Sequence, residues 1–155
     1  MSLPQSQLYQ LAKKIKMIAL DVDGVMTDGI IYTNPDGTET KGFHVRDGFG
    51  IMMAKQAGIK FCLITGRLSA TVKHRAQQLK IEEVHGGFTD KAAILSDVLT
   101  RHGLNWTEVA YMGDDLFDLP VMRKVQISAT PSDGCTEAIA EAKWVSSLPG
   151  GHGAI

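Results

Sequence analysis

Short apolar runs of strand length recur along this chain, each set apart from the next by one amphipathic stretch of helical length. The runs are MIALDV, IKFCLIT, EVAYMGD and QISAT, with KWVSS as a candidate edge strand. RDGFGIMMAKQAG, SATVKHRAQQLK, TDKAAILSDVLTRHG, DLFDLPVMRKV and DGCTEAIAEA read as the intervening helices, and LYQLAKKI as a short helix ahead of the first strand. Ser69 and either Thr89 or Asp90 suit helix caps, and Gly58 and Gly103 suit helix stops. Single helices between apolar strands predict an α/β fold with a doubly wound parallel sheet. One stretch breaks the alternation. GIIYTNPDGTETKGFHV has turn residues, Asn34 to Gly37, between two alternating arms, so a hairpin at about residues 30–44 is expected to protrude. A length of 155 residues suits one domain over 1–155, and no insertion is long enough to form a second domain.

Composition excludes several classes. Sixteen basic residues stand against 17 acidic ones, for a net charge of −1, and no basic patch suggests nucleic acid. The apolar runs are too short to cross a bilayer. Residues 1–15 carry Gln and Lys and no secretory apolar core, so a cytoplasmic location is expected. Cys62, inside an apolar strand, reads as an inert buried thiol, and Cys135 as an unreactive residue near a helix start. Met52, Met53 and Met122 read as core.

The chemistry lies in the aspartates. Asp21 and Asp23 follow the first strand beside Gly24, and Asp114 and Asp115 follow a later strand beside Gly113. Either pair alone is as readily a turn former or a cap. In a parallel sheet, however, both pairs come to one edge, where ligands bind beyond the strand ends. Mg²⁺ is the expected counter-ion for such carboxylates, and no Cys or His spacing suits zinc. Thr65, followed by Gly66 and Arg67 at a helix entrance, suits an anion, and Lys91 would bring a cation to the same edge. Arg67 has the geometry to grip a carboxylate. His44 and His85 read as entrance or plain loop residues, and His74 and His102 as helix surface.

DVDGVMTDG, ITGR, Lys91 and GDDLFD resemble, in order and spacing, the four motifs of the haloacid-dehalogenase-like (HAD) superfamily of phosphotransferases. VDGVMTDGIIYT, FHVRDGFGI, ITGRLSATVKHRA, GDDLFDLPVM and the terminal GGHGAI resemble its capless 3-deoxy-D-manno-octulosonate 8-phosphate phosphatases. The resemblance implies a Mg²⁺-dependent phosphoric monoester hydrolase of lipopolysaccharide biosynthesis acting on a sugar-acid phosphate. A phosphatase of a nine-carbon acid, 3-deoxy-nonulosonate or sialic acid 9-phosphate, is the alternative.

It implies Asp21 as nucleophile and Asp23 as acid and base. Mg²⁺ would sit on Asp21, the Asp23 carbonyl and Asp114, with Asp115 orienting its water or Lys91. Thr65, Gly66 and Lys91 would hold the phosphoryl group, and Arg67, Arg46 and Gly48 would border the substrate. It also implies a homo-oligomer, most simply a tetramer, whose hairpins complete neighbouring sites. The resembled group continues past its GGxGAV segment into an Arg-Glu-containing tail, whereas this chain stops at Ile155. Receiver domains share an acidic pocket, Thr and Lys, but place the phospho-accepting Asp mid-chain, an order this sequence does not follow. An inactive regulatory subunit would not need every one of these residues.

Overall fold

The computed structural model describes residues 3–86 and 90–155. Six strands form one parallel sheet: β1 (Met17–Leu20), β4 (Lys60–Thr65), β5 (Glu83–Gly86), β6 (Val109–Met112), β7 (Ile127–Thr130) and β8 (Trp144–Val145). Their spatial order is β5-β4-β1-β6-β7-β8. The order runs one way from β1 to β4 and the other way from β1 to β6, so β1 stands at the topological switch point. β5 was not expected from the sequence. Its four residues are only half-buried or exposed, and they lack the apolar run that marks the other strands.

Alternation along the strands builds two apolar layers. On β4, Phe61 and Leu63 face one side and Cys62 and Ile64 the other. The first side packs against α2 (Val45–Gln56) and α3 (Ala70–Gln78) through Ile51, Val72 and Ala76. The second packs against α4 (Lys91–His102), α5 (Leu119–Met122) and α6 (Thr136–Glu141) through Leu95, Val98, Met122 and Ala138. Helix α1 (Gln5–Ala12) buries no residue of its own.

Local signals act where they stand. The Ser69 hydroxyl accepts the Val72 N–H at 3.3 Å and the Asp90 carboxylate accepts the Ala93 N–H at 3.0 Å, opening α3 and α4. Gly103 closes α4 at φ 62°, in the left-handed region. Thr89, the other candidate cap, lies outside the described residues.

The hairpin is shorter than its sequence suggests. Strands β2 (Tyr32–Thr33) and β3 (Glu39–Thr40) pair over two residues each, around a turn closed by Asn34 and Thr38. A second correction concerns methionines 52 and 53, which are exposed, although Met122 is buried as expected. Helix α2 turns Asp47, Gly48 and Ile51 inward. At helical spacing, that leaves Val45, Phe49, Met52 and Met53 as an outward apolar stripe. Cys62 is buried and its thiol is pushed up to about 12 by that burial, so it is inert as read.

Candidate active site

The carboxyl ends of β1, β4 and β6 meet in one cavity lined by Asp21, Asp23, Thr65, Gly66, Arg67, Lys91, Asp114, Asp115, Phe117 and Asp118. Sequence reasoning had placed eight of these together. Asp21 continues the β1 ladder, its N–H donating to the Met112 carbonyl at 3.0 Å. Its side chain meets the Lys91 ammonium at 3.1 Å. The Thr65 hydroxyl accepts the Arg67 N–H at 3.1 Å, which uses a lone pair and not its proton.

Arg46 and Gly48 are not brought into this cavity. Arg46 is exposed at the start of α2, and Gly48 is buried against Arg75 and Leu79. The His44 ring caps α2 by accepting the Arg46 N–H at 3.2 Å. His85 lies 2.8 Å from the Glu83 carboxylate and lines no part of the cavity.

Asp118 is the residue that sequence reasoning missed. It is fully buried and works as a hub. One oxygen accepts from Lys91 and from the Tyr111 hydroxyl, each at 2.6 Å. The other accepts the backbone N–H groups of Asp114 at 2.9 Å and Asp115 at 3.1 Å. The available signal was its place in GDDLFD, four residues beyond Asp114. Asp118, not Asp115, holds Lys91. The Asp115 side chain is exposed and accepts from its neighbour Leu116 at 2.7 Å. Lys41 was also missed. It leaves the hairpin arm, is buried, and pairs with Asp23.

The electrostatics call for a cation. Asp21, Asp114 and Asp118 bring ligand atoms within 4.8 Å of one another, and Lys91 is the ammonium paired to two of them. Burial, with the charge of Asp118, pushes the Asp21 carboxyl up to about 6. Burial, with Asp21, Asp118 and Asp115, pushes Asp114 up to about 8. Burial works against the Lys91 charge, but Asp21 and Asp118 hold it above its ordinary value. One oxygen of Asp114 is buried with no hydrogen-bond partner among the described residues. A hard divalent ion on Asp21 and Asp114 satisfies that oxygen and removes the repulsion, so these residues fit Mg²⁺. Asp118 already spends both oxygens on protein donors.

No protein-family model matches the chain. It is 41% identical over 144 residues to the 3-deoxy-D-manno-octulosonate 8-phosphate phosphatase KdsC of Escherichia coli K12, covering 93% of this chain and 77% of the relative. The chain belongs to the 3-deoxy-D-manno-octulosonate 8-phosphate phosphatase family. Solved structures agree with that family. The Moraxella catarrhalis phosphatase, in complex with magnesium, phosphate and KDO, superposes with a TM-score of 0.94 at 40% identity, covering 97% of this chain and 87% of that one. A Legionella pneumophila hydrolase assigned to the HAD superfamily (subfamily III A) superposes at 0.93 with 39% identity, covering 96% of this chain and 82% of that one. These neighbours share the α/β fold described above.

Proposed function

We propose that this chain is a Mg²⁺-dependent phosphatase of 3-deoxy-D-manno-octulosonate 8-phosphate that works through an aspartyl-phosphate on Asp21. The carrying observation is the Asp21–Lys91–Asp118 chain beside the unpartnered Asp114 oxygen, in a protein matching such phosphatases over nearly its whole length.

Asp21 attacks phosphorus while the bond from phosphorus to the sugar oxygen breaks. Asp23 protonates the departing oxygen, then takes a proton from the water that hydrolyses the aspartyl-phosphate. Lys91 and the Thr65 hydroxyl donate to the phosphoryl oxygens. Lys91 therefore does double duty, steering Asp21 and neutralising transferred charge, and Asp118 keeps it aimed. Asp21, Asp114 and the Asp23 carbonyl would hold Mg²⁺, which supplies charge neutralisation between nucleophile and phosphoryl group. Arg67, at the mouth, receives the sugar-acid carboxylate.

The reading takes residues 1–155 as one catalytic domain in the cytoplasm. Two free cysteines support that location, and no described helix is long and apolar enough to cross a membrane. It also takes the enzyme as a homotetramer. Ile30, Ile31 and Tyr32 on the hairpin and Val45, Phe49, Met52 and Met53 on α2 are each exposed, and association would cover such apolar side chains. Phosphate release from eight- and nine-carbon sugar-acid phosphates, with Mg²⁺ and with EDTA, tests the function. Faster turnover of the eight-carbon substrate, abolished by EDTA and by Asp21→Asn, is expected.

A further inference from the structure

The residues of the cavity are anchored from two different places. Asp21, Lys91 and Asp114, which the proposed function assigns to the metal and phosphoryl group, are tied to Asp118 on the sheet side. Asp23 and Arg67, which the proposed function assigns to the leaving group, are tied to the hairpin. Lys41 pairs with one oxygen of Asp23, and Glu39 pairs with one terminal nitrogen of Arg67. Residues 39 and 41 stand two apart in one arm, the spacing that sends side chains to the same side of extended chain. The Thr71 hydroxyl of α3 donates to the Glu39 carbonyl at 3.1 Å and fixes that arm against the domain.

We propose that this arm positions the leaving-group side of the site, Lys41 setting Asp23 and Glu39 setting Arg67. The inference rests on the phosphatase reading above. Neither Lys41 nor Glu39 lines the cavity, so both act through the residue they hold. The Lys41 side chain is only 2% exposed, whereas Asp23 is 26% exposed. A buried ammonium needs a compensating charge, and Lys41 finds it on the acid/base carboxylate. The pair occupies one oxygen of Asp23, a residue that lines the cavity. Glu39 is likewise the inner partner, 19% exposed against 43% for Arg67. Its single contact restrains the guanidinium and leaves further donors for a ligand carboxylate.

The test compares kcat/KM for the sugar-acid phosphate and for p-nitrophenyl phosphate in the wild type, Lys41→Met and Glu39→Gln. This parameter reads events up to the first departure of the leaving group, and not the later hydrolysis of the aspartyl-phosphate. A nitrophenolate leaves without a proton and carries no carboxylate. Lys41→Met is expected to lower the sugar value at least ~10-fold more than the nitrophenyl value, a part of the roughly 10²–10⁴-fold that a general acid contributes. Glu39→Gln is expected to raise KM several-fold for the sugar acid with little change in its kcat. Equal losses on both substrates, or no loss on either, overturn the proposal. If Lys41→Met does not fold, the more exposed Glu39 variant decides alone. The functional reading fails separately, in the wild type, by showing no preference for the sugar acid. The Lys41 comparison then runs on any alkyl phosphate that the enzyme turns over.

Discussion

A Cβ on Gly24 would stand 2.0 Å from Oδ2 of Asp114. The glycine that ends the first acidic pair therefore makes room for the second. Its φ of +90° adds a conformation that side chains rarely adopt. Gly24→Ala is expected to displace the Asp114 carboxylate. Mg²⁺ affinity, read by titrating activity or thermal stability, should weaken about tenfold or more, a cost of ~1.4 kcal/mol. Unchanged affinity would detach Asp114 from the metal.

Tyr111 shares its Asp118 oxygen with Lys91. Tyr111→Phe removes one donor from a buried carboxylate and keeps the ring. It should cost about 1–3 kcal/mol of stability and lower kcat several-fold, because Lys91 loses part of its anchor. Asp118→Asn is expected to be worse, at about 3–5 kcal/mol, since it breaks a buried ion pair. Denaturant melts and steady-state kinetics check both, and a fully active Asp118→Asn enzyme would dismiss the hub.

Asp21 is pushed up to about 6 and Asp114 to about 8. Without metal, the folded chain binds more protons than the unfolded chain between the ordinary carboxylate range near ~4 and those values. Its stability should therefore fall as pH rises from about 5 to about 8. Mg²⁺ replaces those protons, so the Tm gained on adding it should grow over the same interval. Asp114→Asn should flatten the metal-free trend and abolish most of the gain. Glu83, held down to about 2 chiefly by its Arg101 hydrogen bonds, contributes stability that is lost only at lower pH, outside this window. Thermal melts in EDTA and in Mg²⁺ measure this, and a metal-free Tm that climbs across the window contradicts it.

Arg67→Ala should raise KM for the sugar-acid phosphate at least ~10-fold, the order of one charge-assisted contact. The p-nitrophenyl phosphate value should move far less. Parallel loss on the two substrates would give Arg67 to the phosphoryl group instead.

Ile31→Glu and Tyr32→Glu place charge on the exposed arm of the hairpin. Both should lower the assembled mass in light scattering and reduce activity together. A fully active wild-type monomer at micromolar concentration would end the tetramer reading.

Much of the site was legible because its chemistry is local. Asp21, Asp23, Thr65, Lys91 and Asp114 each stand at a strand end or helix start, and the parallel sheet gathers such points on one edge. Strand β5 escaped notice because its Glu83 and His85 face polar partners at the sheet margin rather than an apolar layer.

Sequence alone determined the doubly wound α/β class, since periods of two and of 3.6 are carried by neighbouring residues. It determined the acidic edge for the same reason. Tertiary structure alone decided which groups hold the acidic residues. Lys41 reaches Asp23 across eighteen positions and Glu39 reaches Arg67 across twenty-eight. Lys91 reaches Asp118 across twenty-seven. In sequence Lys41, Glu39 and Asp118 look like ordinary solvated charges. Only burial, which strips away water and makes an unpaired charge costly, turns them into partners. The outward stripe on α2 was decided the same way. An apolar period marks which residues share a face, while the packing of Ile51 against the sheet chose the opposite face for the core.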